Sequence, residues 1–443
     1  MRVCGMLVLL LLAAAGFADA AAVPVPRRVR ISGRVFVLAA TGEGIVLQGP
    51  NVVVKGPPYL PSTNGTSVCN DVVDDTCIAA GNCSSCTSFT VGDARNLRTR
   101  GWNAIRLGVV WAGAQPRDED SLDPDFLARL HSLLSLCDAE GINVVLDNHG
   151  DMVGGAGCGN GVPAWVSNAA APDLIGKPLT TGFPYNLVPE LEVTQMGGYC
   201  TDASAWAAFA GDPNYNLLNP CCSAINGGNP PALGFTEISQ KTMDWLIEDG
   251  PGRTAFVRYW RLLAEAVASH PSAFAVELMN EPMTIRRELA FDTWRAAGLA
   301  INAVIPDMSI SVMDVSEGVV LPDWVTRIGL GGFDISTVAM QWIKTSGTVY
   351  YAWHWYGQPS SATEAVVHAE ALGESWGVPT FATEFMDCSA WKAAAAKNVS
   401  HTYWHYSAYC TTGPAFGNRA VPESSFGACI LGWAAGTSTY NCS

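Results

Sequence analysis

The chain has 443 residues, 49% of them hydrophobic, enough apolar material for one large core or two modest ones. Its formal net charge is −15, and no basic stripe is present to neutralise phosphates, which argues against a nucleic-acid partner. Past the first twenty residues no apolar run is long enough to span a bilayer, so no transmembrane segment is expected.

The chain opens on MRVCG, then MLVLLLLAAAGFA, then Ala18-Asp19-Ala20. One positive charge, a short apolar core and a small-x-small site read as a secretory signal peptide over residues 1–20. Residues 21–443 are then a single exported domain, expected to be secreted or held in the lumen of an acidic organelle, and expected to be a monomer. The cysteines agree with export. Of fourteen, twelve form three clusters, at 69, 77, 83 and 86, at 158, 200, 221 and 222, and at 388, 410, 429 and 442. Such clusters in an exported chain read as disulfide-stapled loops whose pairing the sequence leaves open. No cluster has ligand spacing for zinc, and no metal or other cofactor is expected. Cys137 keeps step with Leu130, Leu133 and Leu134 and reads as a buried helix-face thiol. Sequons at Asn64, Asn82, Asn398 and Asn441 also suit export.

Short apolar runs alternate with amphipathic stretches. The predicted strands are 44–54, 103–110, 142–149, 274–280, 309–314, 349–355, 378–385 and 400–406. Helices are predicted over 124–141, 254–270, 293–305 and 362–376. Near-continuous apolar strands alternating with helices argue for a parallel sheet covered on both faces. Eight such units make a (β/α)8 TIM barrel, an α/β fold. A doubly wound open sheet is the alternative, weakened by the lack of a Gly-x-Gly-x-x-Gly turn after a first strand. Two connections, 56–92 after the first strand and 150–235 after the third, are too long to be simple crossovers. Each carries a cysteine cluster, and each leaves the strand end where barrels build their sites.

Polar groups gather at those strand ends. AFAVELMNEPM (273–283) runs apolar and then stops at Asn280, Glu281 and Pro282, which lacks an N–H for the ladder. VPTFATEF ends with Glu384. Two carboxylates from opposite sides of one barrel mouth suit glycoside hydrolysis, with retention at a carboxyl separation of about 5–5.5 Å and inversion at about 6.5–9.5 Å. Arg106 lies inside the apolar NAIRLGVV and needs an acid partner. His149 closes INVVLDNH beside Asp147 and Asp151. His354 and Tyr356 close VYYAWHWY, and Trp404 in SHTYWHY offers a face for a sugar ring. Taken singly, each of these reads as a rim salt bridge or a satisfied core residue.

Asn280-Glu281-Pro282 after a strand, Glu384 in ATEF, Arg106, His149, the His354-x-Tyr356 pair and Trp404 together resemble glycoside hydrolase family 5, over roughly residues 40–410. The resemblance implies that Glu281 is the acid/base and Glu384 the nucleophile. It further implies that Asn280 binds the sugar 2-hydroxyl and that Arg106 and Tyr356 keep Glu384 ionised. GPNVVVKGPPY (49–59), LDNHGDM (146–152) and GNGVPAW (159–165) are similar to the endoglycoceramidase-related branch, which cleaves β-glycosidic links in glycolipids. Asn51, Lys55, Asp147, His149, Asp151 and Trp165 match its motifs, placing Lys55, Asp151 and Trp165 with the substrate. Gly150 and Asn160 stand where that branch usually has Gln and Asp. The expectation is a retaining β-glycosidase acting on a glycolipid or another β-glucoside or β-galactoside. The alternatives are an endo-β-glucanase acting on polysaccharide, a carbohydrate-binding protein that has lost catalysis, and a structural glycoprotein.

Overall fold

Eight parallel strands form a closed barrel. They are β1 (Gln48–Val52), β2 (Ala104–Gly108), β3 (Asn143–Asp147), β4 (Ala273–Glu277), β5 (Ser309–Met313), β6 (Val349–Trp355), β7 (Thr380–Phe385) and β8 (Ser400–Tyr403). This computed structural model describes residues 26–64, 68–69, 86–118, 120–151, 153–226, 233–313, 335–356, 361–385, 388–404 and 406. The expected signal peptide, Cys77 and Cys83 of the first cysteine cluster, Cys410, Cys429 and Cys442 of the third, Asn82 and Asn441 lie outside the described residues. Every residue of β2 to β8 is buried. Strands covered on both faces cannot alternate apolar and polar side chains, which is why they read as unbroken apolar runs. Closure falls between β8 and β1, with His401 opposite Gln48 and Tyr403 opposite Pro50. That pairing sets aside the open-sheet alternative. Gly49 is required at this seam, because a Cβ there would lie 1.8 Å from the carbonyl oxygen of Ala104 on β2.

Among the described residues, the helices directly before β2 to β8 are α1 (Val91–Thr99), α2 (Pro124–Glu140), α3 (Pro251–Val267), α4 (Arg287–Val304), α5 (Thr337–Thr345), α6 (Ala362–Trp376) and α7 (Cys388–Ala396), with further helices, Glu237–Ile247 among them, in the connection after β3. Their ends are set by local chemistry. Asp123 caps α2 by accepting from the backbone N–H of Asp125 and Phe126, Pro124 occupies the first turn, and Gly141 closes the helix at φ 71°, a conformation cheap only without a Cβ. Ser361 and Glu364 make a capping box on α6. On α2, Phe126, Leu130, Leu133, Leu134 and Cys137 form the buried stripe. Cys137 is unpaired and buried, and burial pushes its thiol well up.

A hairpin absent from the predicted elements, Val29–Ser32 with Val35–Leu38, plugs the N-terminal mouth. Phe36 meets the rings of Phe274, Tyr350 and Phe381 edge-on, at 5.7 to 6.0 Å between centroids. Beside it the buried Arg27 guanidinium donates to the carbonyls of Ala268, His270 and Ala273. Function is thereby directed to the opposite mouth.

The connection after β3 is more than a loop. It folds into short helical turns with an apolar cluster of its own, built on Tyr185, Trp206, Tyr215, Phe235 and the paired cysteines. Disulfides Cys158–Cys222 and Cys200–Cys221 staple it. Met283 and Ile285, just after Glu281, belong to the same cluster. In the connection after β1, Val68–Cys69 pairs antiparallel with Cys86–Thr87, bringing Cys69 opposite Cys86 along the backbone. Among the described residues no helix is long and apolar enough to cross a membrane.

Candidate active site

Arg106 is the centre of the C-terminal mouth. Its strand neighbours set the arrangement: Asn51 on β1 is in register with Arg106 on β2, and Asp147 on β3 with Glu277 on β4. The guanidinium is wholly buried and lies 3.0 Å from Asp147, 2.5 Å from Glu277 and 2.5 Å from Glu384. It also donates to Asn51 Oδ1 and Asn280 Oδ1, each at 2.7 Å. A buried guanidinium left unpaired is costly, so this ring of acceptors is what permits an arginine in an apolar strand.

Glu384 sits near the end of β7, with a register shift in the neighbouring β6 between Trp353 and His354 that brings His354 level with it. Arg106 Nη1 donates to its Oε1 and the Tyr356 hydroxyl to its Oε2. Burial alone would raise this carboxyl, but His354, Arg106 and His149 outweigh it and bring it down to about 2. Glu281 lies beyond the end of β4 with φ 42°, a strained conformation for a residue with a Cβ. Its side chain is one-fifth exposed, and Oε1 is 2.8 Å from His354 Nδ1. Ligand atoms of Glu281, His354 and Glu384 lie within 4.8 Å of one another, so a carboxylate oxygen of each glutamate comes that close.

A second network lies beside the first. The two nitrogens of His149 face Asp147 Oδ2 at 2.8 Å and Asp151 Oδ1 at 3.0 Å. Lys55 pairs with the other oxygen of Asp151, and Asn280 Nδ2 donates to Oδ1 at 3.0 Å. Burial opposes charge on His149 and His354. The carboxylates around them win, Asp151 and Asp147 for the first and Glu384 and Glu281 for the second, raising each to about 9. Trp404 stacks on His149 at 5.0 Å between centroids, and Lys55 Nζ stands 4.6 Å from its ring centre.

Ten of the eleven residues singled out in the sequence therefore meet at one mouth: Lys55, Arg106, His149, Asp151, Asn280, Glu281, His354, Tyr356, Glu384 and Trp404. Trp165 makes other contacts. Its ring packs edge-on against Trp111 and its Nε1 donates to the Gln115 carbonyl. Glu277 was missed. It lies inside AFAVELM, a run as apolar as the one that exposed Arg106, and the same reasoning about a charge in a buried strand would have found it.

Fold and site together define a class: a (β/α)8 barrel with paired carboxylates on the C-terminal ends of β4 and β7. The family model for cellulase (glycosyl hydrolase family 5) matches residues 82–177. The chain is 27% identical over 273 residues to an endoglycoceramidase of Cyanea nozakii, covering 61% of this chain and 43% of that protein. It is 24% identical over 426 residues to endoglycoceramidase I of Rhodococcus hoagii, covering 87% and 70%. The chain thus spans less than half the length of the first relative. Among solved structures, endo-glycoceramidase II from Rhodococcus sp. superposes with a TM-score of 0.54 at 18% identity, over 88% of this chain and 79% of that one, a likeness of fold. The chain resembles glycoside hydrolase family 5, and within it the endoglycoceramidase-related branch.

Proposed function

We propose that this protein is a glycoside hydrolase that cleaves β-O-glycosidic bonds by double displacement with retention of configuration, on glycolipid-type substrates. The observation that carries the mechanism is the close approach of Glu281 and Glu384, with ligand oxygens within 4.8 Å. That suits the short separation of a nucleophile and acid/base pair better than the wider one at which an inverting site holds a water. In the first step a Glu384 oxygen attacks the anomeric carbon while Glu281 gives its proton to the departing oxygen. This leaves a glycosyl ester on Glu384 and an ionised Glu281. In the second step Glu281 takes a proton from water, the hydroxide attacks the anomeric carbon, and Glu384 leaves as a carboxylate. Arg106 and Tyr356 suit that leaving group, because both stabilise its charge.

The glycolipid assignment is supported by the relatives' names. Export follows from residues 1–20 and agrees with the Cys158–Cys222 and Cys200–Cys221 pairs, since disulfides persist in oxidising compartments. A cellulase-type action on polysaccharide is the second reading, favoured by the family model over 82–177. Hydrolysis of a glycosphingolipid compared with a β-glucan decides between them: release of an oligosaccharide from the lipid alone is expected, and turnover of the glucan alone overturns the substrate assignment. Glu384→Gln is expected to lose on the order of 10⁴-fold in kcat/KM on an aryl β-glycoside. Near wild-type activity in that variant sinks the mechanism.

A further inference from the structure

Glu277 has no exposed surface. Both of its oxygens accept from Arg106, Oε2 from Nε at 3.2 Å and Oε1 from Nη2 at 2.5 Å. Burial pushes this carboxyl up while the Arg106 and His354 charges hold it down, and the double acceptance suits the ionised form. It occupies the edge of the guanidinium that faces away from Glu384 and leaves Nη1 to the nucleophile. On its other side Glu277 Oε1 lies 3.9 Å from His354 Nε2. That nitrogen is buried and has no hydrogen-bond partner among the described residues, while Nδ1 of the same ring holds Glu281.

We propose that Glu277 is a positioning residue that joins the two catalytic carboxylates, aiming Arg106 at Glu384 and serving as counter-ion to the His354 ring that holds Glu281. The inference rests on the assignment of Glu281 and Glu384 made above. The groups facing His354 are Glu281 at 2.8 Å, Glu384 and Glu277 each at 3.9 Å, the edge-on ring of Tyr356, and the Arg106 charge. Burial and Arg106 drive the proton off this imidazole, and the three carboxylates hold it on. A protonated ring keeps Nδ1–H donating to Glu281 Oε1 and turns the second oxygen of Glu281 toward the leaving group. In the glycosyl-enzyme the charge of Glu384 is consumed in the ester. Glu277 and Asp147 then remain as the carboxylates that keep Arg106 in place for the return of the nucleophile.

The test is the titration of His354, followed by ¹⁵N NMR of the imidazole in the full-length protein, in wild type, Glu277→Gln and Asp147→Asn. The aspartate also loads Arg106 but does not face His354. Glu277→Gln is expected to weaken proton binding at His354 about tenfold or more, a fall of at least one pH unit. Asp147→Asn is expected to shift it far less. Hydrolysis in Glu277→Gln should fall for substrates with both good and poor leaving groups, since both carboxylates lose a support. An unchanged His354 titration in Glu277→Gln, or an equal fall in Asp147→Asn, overturns the proposal. Should Glu277→Gln not fold, Glu277→Asp keeps the charge but withdraws it by a methylene from both partners. It must still weaken proton binding at His354, and no change there is equally fatal. The titration needs no turnover, so an inactive wild-type protein would count against the proposed function and leave the Glu277 link to be judged by NMR alone.

Discussion

Arg106 carries one positive charge among Asp147, Glu277 and Glu384, none of them more than slightly exposed. Replacing it by methionine would keep much of the packing but leave the buried Glu277 without its two donated hydrogen bonds and Asp147 with His149 as its remaining partner. The expected loss is about 3–5 kcal/mol of unfolding free energy, read from urea denaturation; a loss below about 1 kcal/mol would contradict a dry, charge-paired cluster. The same cluster dictates a pH dependence. Glu384 is held at about 2, against about 4.3 in an unfolded chain, so its stabilisation is present above that value and vanishes as pH falls through 2. His149 and His354 are raised to about 9, against about 6.5 unfolded, so theirs is present below 6.5 and is lost as pH rises through 9. Unfolding free energy is therefore expected to be highest between about pH 4.5 and 6.5 and to fall on both sides. In Glu384→Gln the acid-side fall should shrink by on the order of 3 kcal/mol, and an unaltered acid limb would contradict the charge assignment.

At the scale of elements, the eight barrel strands were legible because burial on both faces forces unbroken apolar runs such as NAIRLGVV and INVVLDNH. Helices α2 and α3 announced themselves through regular apolar spacing. The short helices α1, α5 and α7 did not, since nine residues give only two and a half turns over which a period can register. The hairpin over 29–38 was hidden because Arg28, Arg30 and Arg34 break up any apolar run and its strands are only four residues long. The insertion after β3 carried no period at all. Its order comes from Cys158–Cys222, Cys200–Cys221 and scattered aromatic residues, and such long-range pairings leave no local pattern. Of the site, residues at strand ends were readable, because a polar group that closes an apolar run stands out. Glu277 could have been read the same way, as a charge inside an apolar run, but the path from His354 to it could not, because it depends on neighbouring strands meeting across the barrel. The insertion's cluster includes Met283 and Ile285, so its staples bear on Glu281. Replacing Cys158 and Cys222 together by serine opens a loop with a sequence separation of 64, for which loop entropy predicts a loss of about 4 kcal/mol. Activity should fall more for poor leaving groups, which need the acid, than for activated ones. An equal fall for both would separate the insertion from the acid.

On the scale of the whole molecule, the barrel is closed below by Phe36 and its ring of aromatic partners and walled on one side by a stapled apolar insertion. Its charged groups converge on the remaining mouth. The net charge is −15, while the mouth gathers Lys55, Arg106, His149 and His354, which puts positive charge around Glu384, the proposed nucleophile. The central claim is that Glu384 forms a covalent bond to the sugar. It is tested most directly by incubating the protein with 2-deoxy-2-fluoro-β-glucosyl and -galactosyl fluorides, which trap a retaining nucleophile, and mapping the adduct by peptide mass spectrometry. The account predicts one sugar on the peptide that contains Glu384 and none in Glu384→Gln. An adduct on another residue, or turnover of β-glycosides with inverted configuration and no adduct, would contradict it.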